Sequence, residues 1–327
     1  MAHPQQNAQP VRPSPRHDAR SGWGALLQSP AYRVLARLIF DSPRRQMIVL
    51  AAIPLAWILL ANVGPILQMV SISFLDAYPP TAGTPPQFTL DNFGRFFGDY
   101  IFMMPFLRTL MFALVLTVAT LIITYPIAYF LARHVPRDSQ LLFLLLLLIP
   151  FWVGEIVRTY AIMILLGNNG AVNIALRSLG LIERPIPFMY TRFSLGFGII
   201  YLTALYMLLP LYSALEKIPK NLLESAADLG AGAWSRFLRI TLPLSREGIA
   251  SGCTLVFLLS TGYYATPVLL GGPNTTLFSE TIAGFFHVAG DEWPTGAAFA
   301  TILLVTALTL TGIFLKIMGR SGQGLLK

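Results

Sequence analysis

Two charged residues lie inside an apolar stretch of the chain, Leu141–Leu166. Glu155 and Arg158 are three positions apart, so on a helix they would share one face and could form an ion pair. If this stretch crosses a membrane, charges at that depth are costly and usually face a cavity or a partner. Glu155 and Arg158 are therefore candidates for a solute pathway or gate, and Glu155 is the better candidate for contact with a cation. The alternatives are an interhelical ion pair or, near the membrane surface, a side chain that extends to the headgroups.

Hydroxyl and aromatic side chains in the later apolar stretches form a second set of candidates. A cation is attracted to the face of an aromatic ring, and hydroxyl groups can accept hydrogen bonds from an ammonium group. The candidate pathway residues of this kind are Tyr206, Ser260, Thr261, Tyr263, Tyr264 and Thr266. Aromatic residues in such stretches also serve as packing or as interfacial anchors, so both interpretations remain open.

The sequence offers little for catalysis or metal binding. Cys253 is the only cysteine, which excludes an intrachain disulfide and a cysteine-based metal cluster. His134 and His287 have no neighbouring ligands in the sequence, and no nucleophile–base pair is apparent. The nearest approach to a phosphate-binding loop, from Gly319, is followed by Leu325 where a lysine is required. We therefore expect no catalytic residue, no metal and no cofactor on this chain.

The overall composition indicates where these residues must lie. Of 327 residues, 55% are hydrophobic and 12% are charged, with a mean hydropathy of +0.64. Soluble domains carry about 25% charged residues, so this composition excludes soluble enzymes, disordered chains and collagen-like chains. The net charge of +8 fits basic residues in loops that flank a membrane. The expected partner is thus a lipid bilayer and not a nucleic acid.

Six apolar stretches are long enough to cross a hydrocarbon core of about 30 Å, which needs roughly 20 helical residues. They are Met47–Leu75, Thr109–Leu131, Leu141–Leu166, Phe193–Ser213, Ile249–Leu270 and Ala297–Met318. Membrane helices tolerate internal prolines where neighbours or a cavity satisfy the freed carbonyl groups. The predicted fold class is all-α, a polytopic membrane protein with six transmembrane helices. Its prolines favour a transport bundle over a simple anchor.

Basic residues are distributed unequally between the segments that connect these stretches. The N-terminal tail, the segments after stretches two and four, and the C-terminus hold 17 Lys and Arg residues, whereas the other three segments hold five. Because basic loops remain in the cytoplasm, both termini are predicted to be cytoplasmic. An even number of spans agrees with this orientation.

The chain is predicted to have three parts, a cytoplasmic tail at 1–46, a transmembrane domain at 47–318 and a cytoplasmic tail at 319–327. The first 24 residues are too polar to fold alone. Ala31–Phe40 is either an interfacial helix or a basic stop before the first span. Short helices outside the spans are expected at Leu90–Phe97 and at Val172–Leu179, the latter ended by Gly180.

The cytoplasmic segment between stretches four and five is predicted to fold as a helix-turn-helix. Asn221 and Glu224 have the spacing of a capping box that begins a helix, and Gly230 can take the left-handed conformation that ends one. A second short helix is expected over Ala233–Ile240, closed by Thr241-Leu242-Pro243. Apolar groups exposed among charges usually mark a docking surface. The apolar side chains of this segment that we expect on such a surface are Leu223, Ala226, Ala227, Trp234 and Phe237.

This segment resembles the EAA loop of ABC-importer permeases. Glu224-Ser225-Ala226 is followed after three residues by Gly230, and after nine more by Ile240-x-Leu242-Pro243. Ser225 stands where alanine is more usual. The resemblance implies that the ATPase-coupling loop comprises Glu224, Ser225, Ala226, Gly230, Ile240, Leu242 and Pro243.

The resemblance extends over about Met47–Met318 and is closest to permeases of the spermidine/putrescine subfamily. It is carried by Pro150-Phe151-Trp152, Arg158-Thr159-Tyr160, Asn169-Gly170, Leu209-Pro210-Leu211-Tyr212, Leu270-Gly271-Gly272-Pro273 and Trp293-Pro294. Because Arg158 belongs to one of these motifs, an architectural role is favoured for it. Some polyamine permeases have an acidic residue shortly before the proline of span five, where this chain has Thr261-Gly262-Tyr263-Tyr264-Ala265-Thr266-Pro267.

Such a resemblance implies a type I importer of the bacterial inner membrane, with this chain as a translocation subunit that is not itself an enzyme. The implied partners are two ATPase subunits, which bind ATP and Mg, a second permease subunit, favoured to be a sister chain, and an external substrate-binding protein. The expected solute is a polyamine or a related small solute. The alternatives are an amino acid, an opine or an iron chelate.

Two other classes of protein fit the sequence less well than an importer subunit does. A self-contained secondary transporter commonly shows repeated halves and charges for ion coupling, and it needs no surface for an ATPase. The segment from Glu224 to Pro243 argues against that class. A membrane enzyme would need reactive groups that the sequence does not show.

Overall fold

The computed structural model describes residues 42–79, 86–287 and 292–323. In these ranges the chain is almost entirely α-helical, and its β-type pairing is limited to an isolated bridge between Leu75 and Phe88. The predicted all-α class is therefore confirmed. The predicted interfacial helix Ala31–Phe40, most of the N-terminal tail and residues 324–327 lie outside the described residues.

The helices in chain order are α1 (Pro43–Ile72), α2 (Asp91–Gly98), α3 (Tyr100–Arg133), α4 (Arg137–Leu148), α5 (Glu155–Leu166), α6 (Ala171–Ser178), α7 (Arg192–Glu216), α8 (Lys220–Asp228), α9 (Ala233–Arg236), α10 (Leu242–Leu244), α11 (Arg246–Gly262), α12 (Ala265–Leu270), α13 (Phe278–His287) and α14 (Trp293–Gln323). The two predicted short helices are confirmed, as α2 and α6. Gly180 follows α6 with a φ of +70°, as expected for a glycine that ends a helix.

The chain divides into two compact units between Leu67 and Gln68. The described part of the first unit is the α1 helix as far as Leu67, which is apolar from Met47 onward and carries Pro54 and Pro65. Its large side chains are exposed, with Leu50 at 70% and Trp57 at 71%. An apolar helix with exposed side chains is suited to a lipid environment.

Among the described residues, five helical segments are long and apolar enough to span a membrane, at 50–72, 100–133, 155–178, 192–216 and 293–319. A sixth is reached if the helices at 233–244 and 246–262, which meet at 64°, are counted as one bent span. The predicted six-span architecture therefore holds when this bent segment crosses the membrane.

The third predicted stretch, Leu141–Leu166, is not one continuous helix, which corrects the sequence analysis. Helix α4 ends at Leu148, a 3₁₀ turn covers Ile149–Trp152, and α5 begins only at Glu155. Pro150 cannot donate the backbone hydrogen bond that would continue α4. Gly154 then adopts an extended conformation immediately before α5. The charged residues thus lie at the start of a new helix instead of the middle of a long one.

The fifth predicted stretch, Ile249–Leu270, is also broken. Helix α11 ends at Gly262, Tyr263 is extended, and α12 starts at Ala265. Pro267 has no N–H, so the carbonyl of Tyr263 has no donor four residues later. The Ser279 hydroxyl of α13 donates to that carbonyl instead, at 2.6 Å. The break is thus satisfied by a side chain from the next helix, as membrane proteins require of freed backbone groups.

The core of the second unit consists of α3, α7 and α11, which pack against one another. Gly248 and Gly252 are one helical turn apart on α11 and face α7. A Cβ at Gly252 would lie 2.6 Å from the sulfur of Met207, and one at Gly248 would lie 2.6 Å from the carbonyl of Pro210. Small residues at this spacing let membrane helices approach closely. This packing fixes α11, and with it the break at Tyr263.

Candidate functional site

The two helix breaks meet in space, and we call the place where they meet the break site. Helices α5 and α12 pack together there. The hydroxyl of Thr266 donates to Oε1 of Glu155 at 3.3 Å, and it lies 3.4 Å from the hydroxyl of Thr159. Glu155 is the first residue of α5, where a negative charge is stabilised by the helix dipole. The break site therefore places a carboxylate at a helix N-terminus, beside hydroxyl groups.

Glu155 and Arg158 do not form the ion pair that their spacing predicted. Among the described residues the salt bridge within 4.0 Å is that of Arg95 with Glu292, at 3.0 Å. Because α5 begins at Glu155, that side chain turns toward Thr266. Arg158 instead turns back over the 3₁₀ turn, with its guanidinium carbon 4.5 Å from the centre of the Phe151 ring. Its Nε and one Nη are buried without a hydrogen-bond partner.

Aromatic side chains complete the break site. Phe151 lies edge-on to Tyr206, with ring centres 6.4 Å apart. Tyr263 is close enough to Glu155, Tyr206 and Arg158 to interact with each electrostatically. Tyr206 is 43% exposed, so this side of the site is open. A cation that entered here would meet a carboxylate and π faces together.

Among the described residues, no contact joins the other predicted pathway residues to Glu155. The hydroxyl of Tyr264 lies 3.3 Å from Nε2 of His287. Thr261 donates to the carbonyl of Phe257 in its own helix at 2.7 Å. Ser260 is buried, and its hydroxyl has no hydrogen-bond partner. Of the candidate pathway residues, the structure groups Glu155, Arg158, Tyr206, Tyr263 and Thr266.

Sequence reasoning did not single out Phe151 or Thr159 as site residues. Phe151 follows Pro150, and recognising that a proline would break the stretch there could have pointed to it. Thr159 lies four residues after Glu155 and so shares its helix face. Its hydroxyl donates to the carbonyl of Glu155 at 3.0 Å.

Residues 218–244 form a helical hairpin with two helical arms. The hairpin turns at Gly230, as predicted. Gly230 has a φ of +81°. The N–H of Ala231 donates to the carbonyl of Ala226 and the N–H of Gly230 to that of Ala227, each at 2.9 Å. This pair of bonds is the Schellman motif, which requires the left-handed conformation at Gly230. A Cβ there would meet nothing within 4 Å, so the need for glycine lies in the backbone alone.

Both ends of the hairpin differ from the sequence analysis. Helix α8 begins at Lys220 after Pro219, and no side chain caps it. Asn221 and Glu224 are inside the helix, so the predicted capping box is wrong. Pro219 ends the preceding segment and sets the start of the helix one residue before Asn221.

The second arm of the hairpin does not end at Ile240. A π-helical turn over Phe237–Thr241 follows α9, and α10 carries the helix through Leu244. The wider turn lets the N–H of Leu242 bond to the carbonyl of Phe237, five residues back. Pro243 has no N–H to donate, and it lies in the first turn of α10, where prolines are tolerated. The predicted closure at Thr241-Leu242-Pro243 is therefore wrong.

One side of the hairpin is anchored and the other is exposed. Phe237 packs edge-on against Tyr125 of α3 with ring centres 5.7 Å apart, and the Tyr125 hydroxyl lies 2.9 Å from that of Ser245. On the free side, Leu229 is 88% exposed and Trp234 is 71% exposed. Phe237, predicted to be exposed, thus holds the hairpin against the bundle. Leu229, which was not predicted, joins the exposed apolar surface.

Comparison with known proteins identifies the class to which this fold and these sites belong. Residues 186–321, which include the hairpin, match the family described as binding-protein-dependent transport system inner membrane component. The chain superimposes with a TM-score of 0.65 on a bacterial ABC transporter involved in import of the acidic polysaccharide alginate, covering 87% of this chain and 99% of that one. At 20% identity, that likeness concerns the fold. The chain therefore has the fold of an ABC-importer permease.

Curated relatives narrow the class to a family. The chain is 36% identical over 287 residues to the spermidine/putrescine transport system permease protein PotB of Salmonella typhimurium strain SL1344, covering 86% of this chain and 96% of the relative. It is 37% identical over 271 residues to PotB of Escherichia coli strain K12, covering 82% and 94%. The chain therefore belongs to the family of binding-protein-dependent inner-membrane permeases that includes these proteins. It is a multi-pass inner-membrane subunit of an ABC importer.

Proposed function

We propose that this permease imports polyamines of the spermidine and putrescine kind. The observation that carries the proposal is the break site, where the Glu155 carboxylate has no ion-pair partner among the described residues. Tyr263 interacts electrostatically with this carboxylate and with Tyr206, whose ring packs edge-on against Phe151. The names of the PotB relatives point to the same solutes.

The chemistry of the break site suits an alkylammonium group. A carboxylate attracts the ammonium charge, the Thr266 hydroxyl can accept a hydrogen bond, and aromatic faces bind both a cation and a methylene chain. The partial burial of Glu155 strengthens the attraction relative to water. Arg158 is held on Phe151 and so does not neutralise Glu155 by direct pairing. A second ammonium group of the same solute could reach Tyr206, which is exposed.

The same proposal assigns a side of the membrane and a set of partners. Both termini and the hairpin face the cytoplasm, because 17 basic residues lie in those segments and five in the others. Two ATPase subunits bind ATP and Mg and dock on the hairpin through an apolar surface that includes Leu229 and Trp234. A second permease subunit, as a sister chain, and an external binding protein complete the importer. This chain itself binds no cofactor and catalyses no reaction.

Orientation is tested with cysteines placed at Ser14 and at Pro86 in a Cys253→Ser background. An impermeant thiol reagent applied to intact cells is expected to label position 86 and spare position 14. Labelling of both positions from one side contradicts the proposed orientation.

The solute is tested with Glu155→Gln in the assembled complex. Losing one charge contact worth about 1.4 kcal/mol lowers affinity about tenfold, so the apparent KM for spermidine uptake is expected to rise by about that factor. Glu183→Gln is the matched control, because Glu183 is exposed and lies outside the break site. Co-purification of the partner subunits verifies assembly. Unchanged amine uptake in Glu155→Gln, or transport of amino acids, opines or iron chelates without amines, overturns the proposal.

A further inference from the structure

Arg108 of α3 and Arg192, the first residue of α7, line the same cavity. The cavity has a volume of about 220 Å³ and is also lined by Thr275. The guanidinium of Arg108 is oriented by a hydrogen bond of 3.4 Å to the carbonyl of Asn274. None of the described residues that line the cavity carries a carboxylate, and neither arginine forms an ion pair with a described residue. The cavity therefore presents two positive charges that lack a counter-charge.

Both arginines directly precede predicted membrane-spanning stretches. Arg108 immediately precedes the apolar stretch Thr109–Leu131, and Arg192 immediately precedes Phe193–Ser213. Helix α3 has 34 residues, or about 51 Å at 1.5 Å per residue, so it extends beyond a hydrocarbon core of about 30 Å. Because the predicted stretches begin directly after the two arginines, we expect both guanidinium groups to lie near the boundary between headgroups and hydrocarbon. Arginines of this kind are suited to the phosphate of a lipid.

An apolar groove lies on the neighbouring face of α3 and shares Met111 with the arginine cavity. The groove of about 400 Å³ follows α3 from Leu110 to Val118. Its walls are completed by Phe257 of α11 and Phe314 of α14. The seven helical steps from Met111 to Val118 correspond to about 10 Å of length. This dimension accommodates a substantial part of an acyl chain.

We propose that the cavity and the groove together form a binding site for an anionic phospholipid. The phosphate lies between Arg108 and Arg192, and one acyl chain lies in the groove beside Leu114 and Val118. Charge complementarity selects this occupant. An apolar helix of a neighbouring subunit could fill the groove, but it would leave both guanidinium groups without a counter-charge. A small soluble anion would pair with the arginines and leave the groove empty.

The proposal is tested on the full-length chain purified with its partner subunits. Phosphatidylglycerol is titrated into complexes in phosphatidylcholine nanodiscs, and bound lipid is counted by native mass spectrometry. Arg108→Gln with Arg192→Gln is expected to weaken phosphatidylglycerol binding about thirtyfold, equivalent to about 2 kcal/mol at about 1 kcal/mol per basic residue near a membrane. The matched control is Arg177→Gln with Arg184→Gln, which removes two exposed arginines predicted on the same side. Equal binding by both double variants overturns the proposal.

A second variant separates the lipid from the other possible occupants. Leu114→Trp is expected to fill the groove and weaken phosphatidylglycerol binding, while leaving the binding of inorganic phosphate unchanged. If inorganic phosphate binds as tightly as the lipid and Leu114→Trp has no effect, the site holds a free anion and the proposal is wrong. A photo-crosslinker at Leu114 is expected to capture lipid. Cross-linking to a second permease subunit instead shows that protein covers the groove and also overturns the proposal.

Discussion

The hairpin and the break site are both interruptions of helical structure, but they are stabilised in different ways. The hairpin turn is fixed by its own backbone, through the positive φ of Gly230 and two hydrogen bonds within six residues. The break site is fixed by side chains from distant parts of the sequence, since Glu155 and Thr266 are 111 positions apart. Substitutions should therefore act on the first through conformation and on the second through contacts.

The two regions also differ in what they present to a ligand. The hairpin presents exposed apolar side chains, Leu229 and Trp234, on a rigid support. The break site presents a carboxylate and aromatic rings inside the bundle. A rigid apolar surface suits a protein partner, whereas the carboxylate and rings suit a small cation. The two regions are therefore expected to recognise different kinds of ligand.

The largest effect is expected from Gly230→Val in the hairpin. A β-branched residue at positive φ is a strong conformational outlier, and left-handed geometry costs at least about 1–2 kcal/mol for a residue with a Cβ. The turn population, and with it solute uptake, should fall about tenfold or more. Membrane insertion should persist because it depends on the spans. The measurements are the amount of ATPase that co-purifies and the solute imported per ATP hydrolysed.

Gly232→Val is the control for this substitution. Gly232 lies two residues later in the same turn, has an ordinary φ of −63° and has open space around it. It should keep near wild-type coupling. If both valine variants couple normally, the Gly230 conformation has no part in coupling; if both fail equally, bulk and not backbone geometry is responsible.

A smaller effect is expected from Thr266→Val at the break site. The change keeps the shape of the side chain but removes the donor to Glu155 and the contact with Thr159. A hydrogen bond worth about 1 kcal/mol corresponds to about a fivefold change, so the apparent KM for spermidine should rise by about that factor. Thr261→Val is the control, because its hydroxyl bonds only within its own helix. Equal KM values for the two variants would show that Thr266 does not orient Glu155.

The contrast between the regions also explains how much the sequence could predict. The turn at Gly230 depends on residues close in sequence, so spacing alone predicted it. The grouping of Glu155 with Thr266 depends on how α5 and α12 pack, which no local pattern encodes. The same limit applies to Arg158, whose spacing favours Glu155 but whose side chain lies on Phe151. Helical spacing places both residues on one face of α5, but it does not show that Thr266 and Phe151 are the neighbours that their side chains contact.

The prediction of where the hairpin starts was wrong for a different reason. Asn221 and Glu224 have the spacing of a capping box. However, Pro219 occupies the N-cap position, so the helix already begins at Lys220. Proline at this boundary has a φ compatible with the helix start and took precedence over the capping pattern. The five long apolar spans, by contrast, followed from composition because a bilayer imposes a minimum apolar length, and the sixth is a bent segment.

Arg158→Gln is expected to lower the apparent KM for spermidine, whereas Thr266→Val is expected to raise it. The substitution removes the guanidinium from the Phe151 ring and removes a positive charge close to Tyr263. A solute cation would then meet less repulsion, so the apparent KM for spermidine should fall by about threefold, or about 0.7 kcal/mol. Arg158→Lys keeps the charge and should keep the wild-type KM. A loss of protein in the membrane, with KM unchanged in the remaining molecules, would indicate a purely architectural role for Arg158.

A small effect that depends on salt is expected from Glu224→Ala, which separates two roles of this residue in the hairpin. Glu224 is exposed and makes no capping bond, and alanine is at least as good a helix former, so α8 should keep its structure. An exposed charge pair with a basic group of the ATPase would contribute only about 0.2–1 kcal/mol. Co-purification of the ATPase should therefore change by about fivefold at most, and the change should shrink as salt is raised. A large loss that is independent of salt would mean that Glu224 is buried against the ATPase in the assembled importer.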